Sequence, residues 1–127
     1  MMLMVQKEVG ERITANPPKM NYLSAFVQTL ANAEMLFLVG KDNFWPQPKV
    51  DSAVIRIVPH KTGLNKPFIS FLKMAFKQPR KTLFNNLRNG GVQNADKILT
   101  ELGLPKNIRA QNLSLQQLEK IFDLVLG

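Results

Sequence analysis

The sequence predicts a fragment of an α/β sheet over about residues 1–60, followed by a small all-helical unit over residues 61–127. Three observations carry this. Met35 to Val39 is a compact apolar run and Ala53 to Val58 is rich in Val and Ile, so both read as strands. Between them lies Phe44 to Val50, whose Pro46 and Pro48 remove backbone donors and favour extended geometry, making it an ordered loop. Beyond Pro59 the apolar residues recur at helical spacing between start and stop signals.

Taken in order, Leu3 to Val5 is short and apolar, and periodicity leaves it open between a buried strand and a helix start. Val9 and Ile13, four apart with charges between them, predict a short amphipathic helix over Lys7 to Ile13 that stops before Asn16-Pro17-Pro18. Leu23, Phe26, Val27 and Leu30 mark one face of a helix over Tyr22 to Asn32, with Ser24 and Gln28 off that face. Lys61 to Pro67 reads as a linker, and Phe68, Phe71, Leu72, Ala75 and Phe76 form the next apolar helix face. Gln78-Pro79 restarts the chain into a helix over Pro79 to Arg88, ended by Asn89-Gly90-Gly91. Asp96 to Leu102 is a short helix closed by Gly103 and Pro105. Ser114 with Gln117, and Leu113 with Leu118, supply the start chemistry of a helix over Leu115 to Leu126 whose Leu118, Phe122 and Val125 face a core.

Composition narrows the chemistry. The 127 residues are 45% apolar with 17 Lys or Arg against 9 Asp or Glu, which fits one soluble domain or pieces of two and not a disordered chain. Without cysteine there is no disulfide framework or thiolate metal site, and the lone His60 has no second imidazole with which to hold zinc, so no metal is expected. His60 reads as a strand-end surface residue. The apolar runs are too short to span a bilayer, and Met1 to Val5 lacks a signal peptide's basic flank, so a cytoplasmic location is expected.

The positive charge is concentrated. From Ser52 to Ala95 there is no acidic residue, while Arg56, Lys61, Lys66, Lys73, Lys77, Arg80, Lys81 and Arg88 are all basic; elsewhere the signs balance. Such a block makes a local field that attracts polyanions, and the interleaved aromatic and amide side chains favour nucleic acid over a merely hydrated helix face. Catalytic motifs are missing: there is no Cys, no G-x-S-x-G, no G-x-G-x-x-G and no Walker sequence. Glu8 and Glu11 sit on a charged helix face as solvated surface. Asn16-Pro17-Pro18 imitates the amine-gripping Asn-Pro-Pro-Tyr of some methylating enzymes, but Lys19 replaces the aromatic, so it reads as a turn. Phe44 and Trp45 can present an aromatic face at a strand end to an unstacked base, although an aromatic before prolines is more often a packing plug.

Several stretches together resemble one family. These are Gln6-Lys7-Glu8-Val9 with Arg12; Phe44-x-Pro46-x-Pro48-Lys49-Val50-Asp51-Ser52-Ala53-Val54 with Arg56; Phe76-x-Gln78-x-Arg80-Lys81-Thr82-Leu83-x-Asn85-Asn86-Leu87; and Arg109-Ala110-x-x-Leu113-Ser114. They resemble the KsgA (RsmA) family of ribosomal RNA adenine dimethyltransferases, over essentially the whole chain. The resemblance implies an S-adenosylmethionine-dependent enzyme that dimethylates two adjacent adenines near the 3′ end of small-subunit rRNA. It implies that this chain matches only the family's second half, with the cofactor-binding loop and the amine-gripping motif upstream of Met1. The chain alone is then expected to bind no cofactor and to be inactive.

The fold so implied is the C-terminal part of a Rossmann-like methyltransferase sheet, followed by a helical RNA-binding domain. Leu3 to Val5 would be the fifth strand, and Met35 to Val39 with Ala53 to Val58 the final antiparallel pair. Phe44 would stack on the flipped-out adenine with Pro46 and Pro48 supporting its loop, which reverses the plug reading. Lys73, Lys77, Arg80, Lys81 and Arg88 would meet RNA phosphates, and the partners would be small-subunit rRNA and the pre-ribosomal small subunit. Two departures lower the charge of that surface: Pro79-Arg80 stands where relatives commonly carry two arginines, and Phe84 replaces a further common Arg. A competing class is a non-enzymatic RNA- or ribosome-binding module. In either case, strands cut from a larger sheet are expected to leave an apolar edge along Leu3 to Val5 and to self-associate.

Overall fold

The computed structural model describes residues 1–61 and 63–127; Thr62, in the expected linker, lies outside the described residues. The chain forms β1 (Met2–Gln6), α1 (Lys7–Ile13), α2 (Tyr22–Leu30), β2 (Ala31–Val39), β3 (Ser52–Pro59), α3 (Lys66–Ala75), α4 (Leu83–Asn89), α5 (Ala95–Glu101) and α6 (Leu115–Leu126). Short 3₁₀ turns lie at Lys41–Asn43 and Ala110–Asn112.

The strands make one antiparallel sheet in the order β1-β3-β2. The last strand in sequence is therefore the central one, and β1 and β2 run parallel as its two outer neighbours. Residues directly opposite in antiparallel strands share a face, so the register sorts the sheet into two sides. Val5, Ala53 and Leu38 form one row of the first side, and Leu3, Ile55 and Met35 another. Met4, Val54 and Phe37 occupy the second side, with Met2, Arg56 and Glu34 in the next row. A bulge between Met35 and Phe37 adds Leu36 to β2 and restores the alternation beyond it.

Helix α1 lies across the first side. Gly10 permits the close approach: a Cβ there would stand 3.0 Å from the Cβ of Ala53 and 3.4 Å from Val5 and Met35 side-chain atoms. The second side has no such cover. Met2, Met4, Phe37 and Val58 are each at least half exposed, and among them Arg56 pairs with Glu34.

The main core lies elsewhere. Phe68, Phe71, Leu72, Leu83, Leu87, Ile98, Leu99, Leu113, Leu118 and Ile121 are buried together, joined by Met20 and Ala25 from the first part of the chain. Phe68, Phe71 and Phe122 meet as an aromatic triplet with centroids 5.2–6.0 Å apart. Helix α2 touches α1 and β2 on one side and α3 and α6 on the other, and so ties the sheet to the helices.

Several element boundaries differ from the sequence expectations, each for a local reason. Helix α2 ends at Leu30, and β2 starts at Ala31 instead of Met35, because Ala31 to Glu34 pair with Pro59 to Arg56. Ser24 is buried and not on an outward face. Its hydroxyl accepts from the Asn21 backbone N–H at 3.1 Å while the Asn21 side chain accepts from that of Ser24 at 2.9 Å, a reciprocal cap. Leu23, Phe26, Val27 and Leu30 are only half-buried, since α2 is flanked on two sides and has no single inner face. Helix α3 begins within the expected linker, at Lys66, where Asn65 caps the Phe68 N–H at 3.1 Å and Pro67 occupies the first turn. Pro79 does not open α4. The Thr82 hydroxyl caps the Asn85 N–H at 3.1 Å, so the helix starts at Leu83, leaving Gln78 to Lys81 as a turn closed by Lys81 N–H to Gln78 C=O at 2.9 Å. Helix α6 has the expected bounds and cap, with Ile121 buried and Val125 half-buried.

Candidate nucleic-acid interface

The proline loop leaves β2 at Val39 and re-enters the sheet at Ser52, directly across the ladder from it. Its ends are therefore fixed by strand pairing, and its interior by side chains. The Asp51 carboxylate accepts the Lys41 N–H at 2.9 Å, and its backbone C=O accepts the Lys7 N–H at 2.9 Å, joining the 3₁₀ turn, β3 and the start of α1. Gln47 donates to Asp42 at 2.9 Å, and the Asn43 amide donates to Gly40 C=O at 3.1 Å. On this brace Phe44 and Pro48 are half-buried, Pro46 is exposed, and Trp45 is 96% exposed. The backbone at Phe44 is extended (φ −118°, ψ 150°), and the chain bends through residues 44–46.

The predicted phosphate contacts are all solvent-exposed: Lys73 on α3, Lys77 just past its end, Arg80 and Lys81 in the following turn, and Arg88 on α4. Lys73 and Lys77 share a groove of about 470 Å³ with Gln78, Asn86 and Asn89. Arg80, Lys81 and Arg88 are outside that lining. The turn that carries the charges is held from beneath by Asn86, which is buried; its amide donates to the C=O groups of Ala75 and Gln78 at 3.2 and 3.1 Å and its oxygen accepts the Gln78 N–H at 3.3 Å. Three hydrogen bonds from one side chain fix the backbone between α3 and α4.

Two further cations join this surface from outside the basic block. A groove of about 390 Å³ brings Arg12 and Lys19 beside Phe76 and Pro79, because the Met20 N–H donates to Gln111 C=O at 3.1 Å and docks the Asn16-Pro17-Pro18 turn against the helices. Phe84, where a positive charge was expected to be lost, gathers two. The Arg88 guanidinium carbon is 5.6 Å and the Lys106 nitrogen 5.0 Å from its ring centroid, within the range of cation–π attraction. Lys106 also meets Asp96 at 3.5 Å. Conversely, Arg56 is a member of the basic block that its pairing with Glu34 takes out of the free charge. His60 lies past the end of β3 as expected, with Nε2 3.2 Å from Gln28 C=O.

A sheet ending in a braced aromatic loop, together with helices carrying exposed cations, is an α/β fold with a candidate surface for a polyanion. The family model for ribosomal RNA adenine dimethylase matches residues 1–126, and the chain belongs to that family. It is 41% identical over 131 residues to the ribosomal RNA small subunit methyltransferase A of Phytoplasma australiense, covering 94% of this chain and 46% of that protein. It is 42% identical over 120 residues to the protein of the same name from Acidithiobacillus ferrooxidans, covering 89% and 44%. The chain thus spans about half the length of these relatives. Among solved structures it resembles the 23S rRNA methyltransferase ErmE, with a TM-score of 0.76 at 18% identity over 99% of this chain and 54% of that one. It also resembles a dimethyladenosine transferase from Plasmodium falciparum, with a TM-score of 0.74 at 23% identity over 94% and 55%. These two likenesses establish the fold.

Proposed function

We propose that this chain is the C-terminal portion of an rRNA adenine N6,N6-dimethyltransferase and supplies its RNA-docking surface and base-stacking loop. The complete protein would dimethylate two adjacent adenines near the 3′ end of small-subunit rRNA, acting on the pre-ribosomal small subunit in the cytoplasm. Among the described residues no helix is long and apolar enough to cross a membrane. On this reading residues 1–60 end a methyltransferase domain and residues 61–127 are the RNA-binding domain.

The observation that carries the reading is the proline loop. A base must leave its stack before its N6 amine is methylated, and it then needs a rigid apolar surface to rest on. Phe44 offers one, anchored through Asp51 to both the sheet and α1. Lys73, Lys77, Arg80, Lys81 and Arg88 meet the phosphates and fix the register of the RNA without reading its sequence.

S-adenosylmethionine is the methyl donor this reading requires, and the sequence here carries no G-x-G-x-x-G loop of the kind that cradles a nucleotide. Helix α1, which follows β1, is packed onto the sheet: a Cβ at Gly10 would stand 3.0 Å from that of Ala53 and 3.4 Å from Val5 and Met35 side-chain atoms. We therefore assign the cofactor, and methyl transfer itself, to the remainder of the complete protein. The uncovered side of the sheet and the free edge of β1 fit this: Met2, Met4 and Phe37 await either that remainder or a second copy of the chain.

The test is titration against a small-subunit 3′-end RNA hairpin at two salt concentrations. Binding should weaken steeply with salt, and Arg80→Ala with Lys81→Ala should reduce the log–log salt slope by about 1–2. Absence of binding at low salt would overturn the reading.

A further inference from the structure

Trp45 is the largest side chain on the braced loop and is 96% exposed, packing against nothing. Its neighbour Phe44 is half-buried, so one loop carries two adjacent aromatic rings of unequal exposure. A solvent-facing indole on so rigid a mount is poorly explained by stability, because it buries no area.

The surroundings favour a particular kind of occupant. Of the exposed residues along the loop, Lys41, Asp42, Asn43, Gln47 and Lys49 are polar or charged, and only Pro46 and Val50 are apolar. A protein partner would need a broad contact, commonly about 800 Å² on each side, with an apolar centre. One large ring with a proline and a valine in a mostly polar loop offers too little apolar area for such a contact, and with Lys41 and Lys49 near it along the chain it matches a flat π-faced group carrying negative charge, which is an unpaired nucleobase with its phosphate.

We propose that Trp45 is a second base-stacking residue, which takes an unpaired base flanking the one seated on Phe44 while Lys41 and Lys49 attract the adjoining phosphates. This rests on the RNA-docking reading and adds to it a separate subsite. Holding the flanking base on the outer ring keeps it from restacking on the target base, so the target stays on Phe44. Every base has a π-face, so Trp45 adds affinity for single-stranded over paired RNA, not for one base over another.

The chain contains one tryptophan, so its emission reports on Trp45 alone. The experiment titrates the full chain with an end-labelled RNA hairpin that has an unpaired adenine-containing loop, reading label anisotropy and tryptophan emission together. The expected result is emission quenching that saturates in step with anisotropy. Trp45→Ala and Trp45→Leu should weaken binding about 5- to 150-fold, and Trp45→Phe much less, since the ring and not its hydrophobicity is used. A fully paired duplex should produce no quenching. Anisotropy showing binding while emission is unchanged and Trp45→Ala binds equally would overturn the proposal and leave RNA docking intact. No anisotropy change at low salt would overturn both. A blue shift that grows with protein concentration without RNA would place Trp45 in a protein contact and overturn the proposal.

Discussion

The sheet and the helices solve burial differently. The helices, with Met20 and Ala25, close a core in which Leu72, Leu83, Leu87, Leu113, Leu118 and Ile121 are fully shielded from water. The sheet shields only the side under α1, where Ala53 and Ile55 are fully buried, while Met4 and Phe37 flank Val54 on a side open to solvent. Apolar content is thus no guide to where stability resides. What matters is whether a second layer lies over the residue, and the helical half has one on every inward face.

The widest contrast should appear in amide exchange. Amides inside α3 and α6 should open only with global unfolding, whereas those of β1 that point away from β3 should exchange orders of magnitude faster. Equal protection in both would show that the open side is covered in solution. Next in size, Leu118→Ala should cost about 2–5 kcal/mol in urea denaturation, by lost transfer energy plus a cavity. The equivalent loss at Met4→Ser should be within about 0.5 kcal/mol. Asn86→Ala should cost about 1–3 kcal/mol, because it removes the donor to the Ala75 and Gln78 carbonyl groups and the acceptor of the Gln78 N–H, and it should also weaken RNA binding by loosening the turn that bears Lys77 and Arg80. Smallest, Ser114→Ala should cost about 1 kcal/mol of thermal stability from the lost α6 cap. Replacing Met4 and Phe37 by Lys should leave melting nearly unchanged but lower the sedimentation coefficient of a self-associating chain, which separates sheet exposure from helical stability.

The parts legible in the sequence were those decided by neighbours along the chain. Helix α6 is written in Ser114, Gln117 and a run at helical spacing, so both of its ends are where the pattern puts them. The strand pair and the loop between it follow from β-branched runs and prolines. What escaped was decided by distant partners. Ala31 to Glu34 have no strand signal of their own and become strand because β3 lies alongside. Ser24 looks like a surface residue until its reciprocal bond with Asn21 satisfies it inside. At the candidate interface the exposed cations and Phe44 were readable as residue types. The Asn86 brace depends on how α4 packs back on the turn before it, and the approach of Arg12 and Lys19 to Pro79 and of Lys106 to Phe84 on packing between separate elements.

The place of β3 at the centre of the sheet also orders events in time. Met2 pairs with Arg56 and Ala31 with Pro59, so neither outer strand has a neighbour until the last one has been made. During synthesis at about 5–20 residues per second, the stretch Met1 to Val5 therefore waits for several seconds with its apolar side chains unpaired. Closing a ladder over so long a loop is slow, whereas the backbone bonds of α6 are all made within the helix and its caps. A ribosome making this stretch thus releases β1 well before the strand that pairs with it.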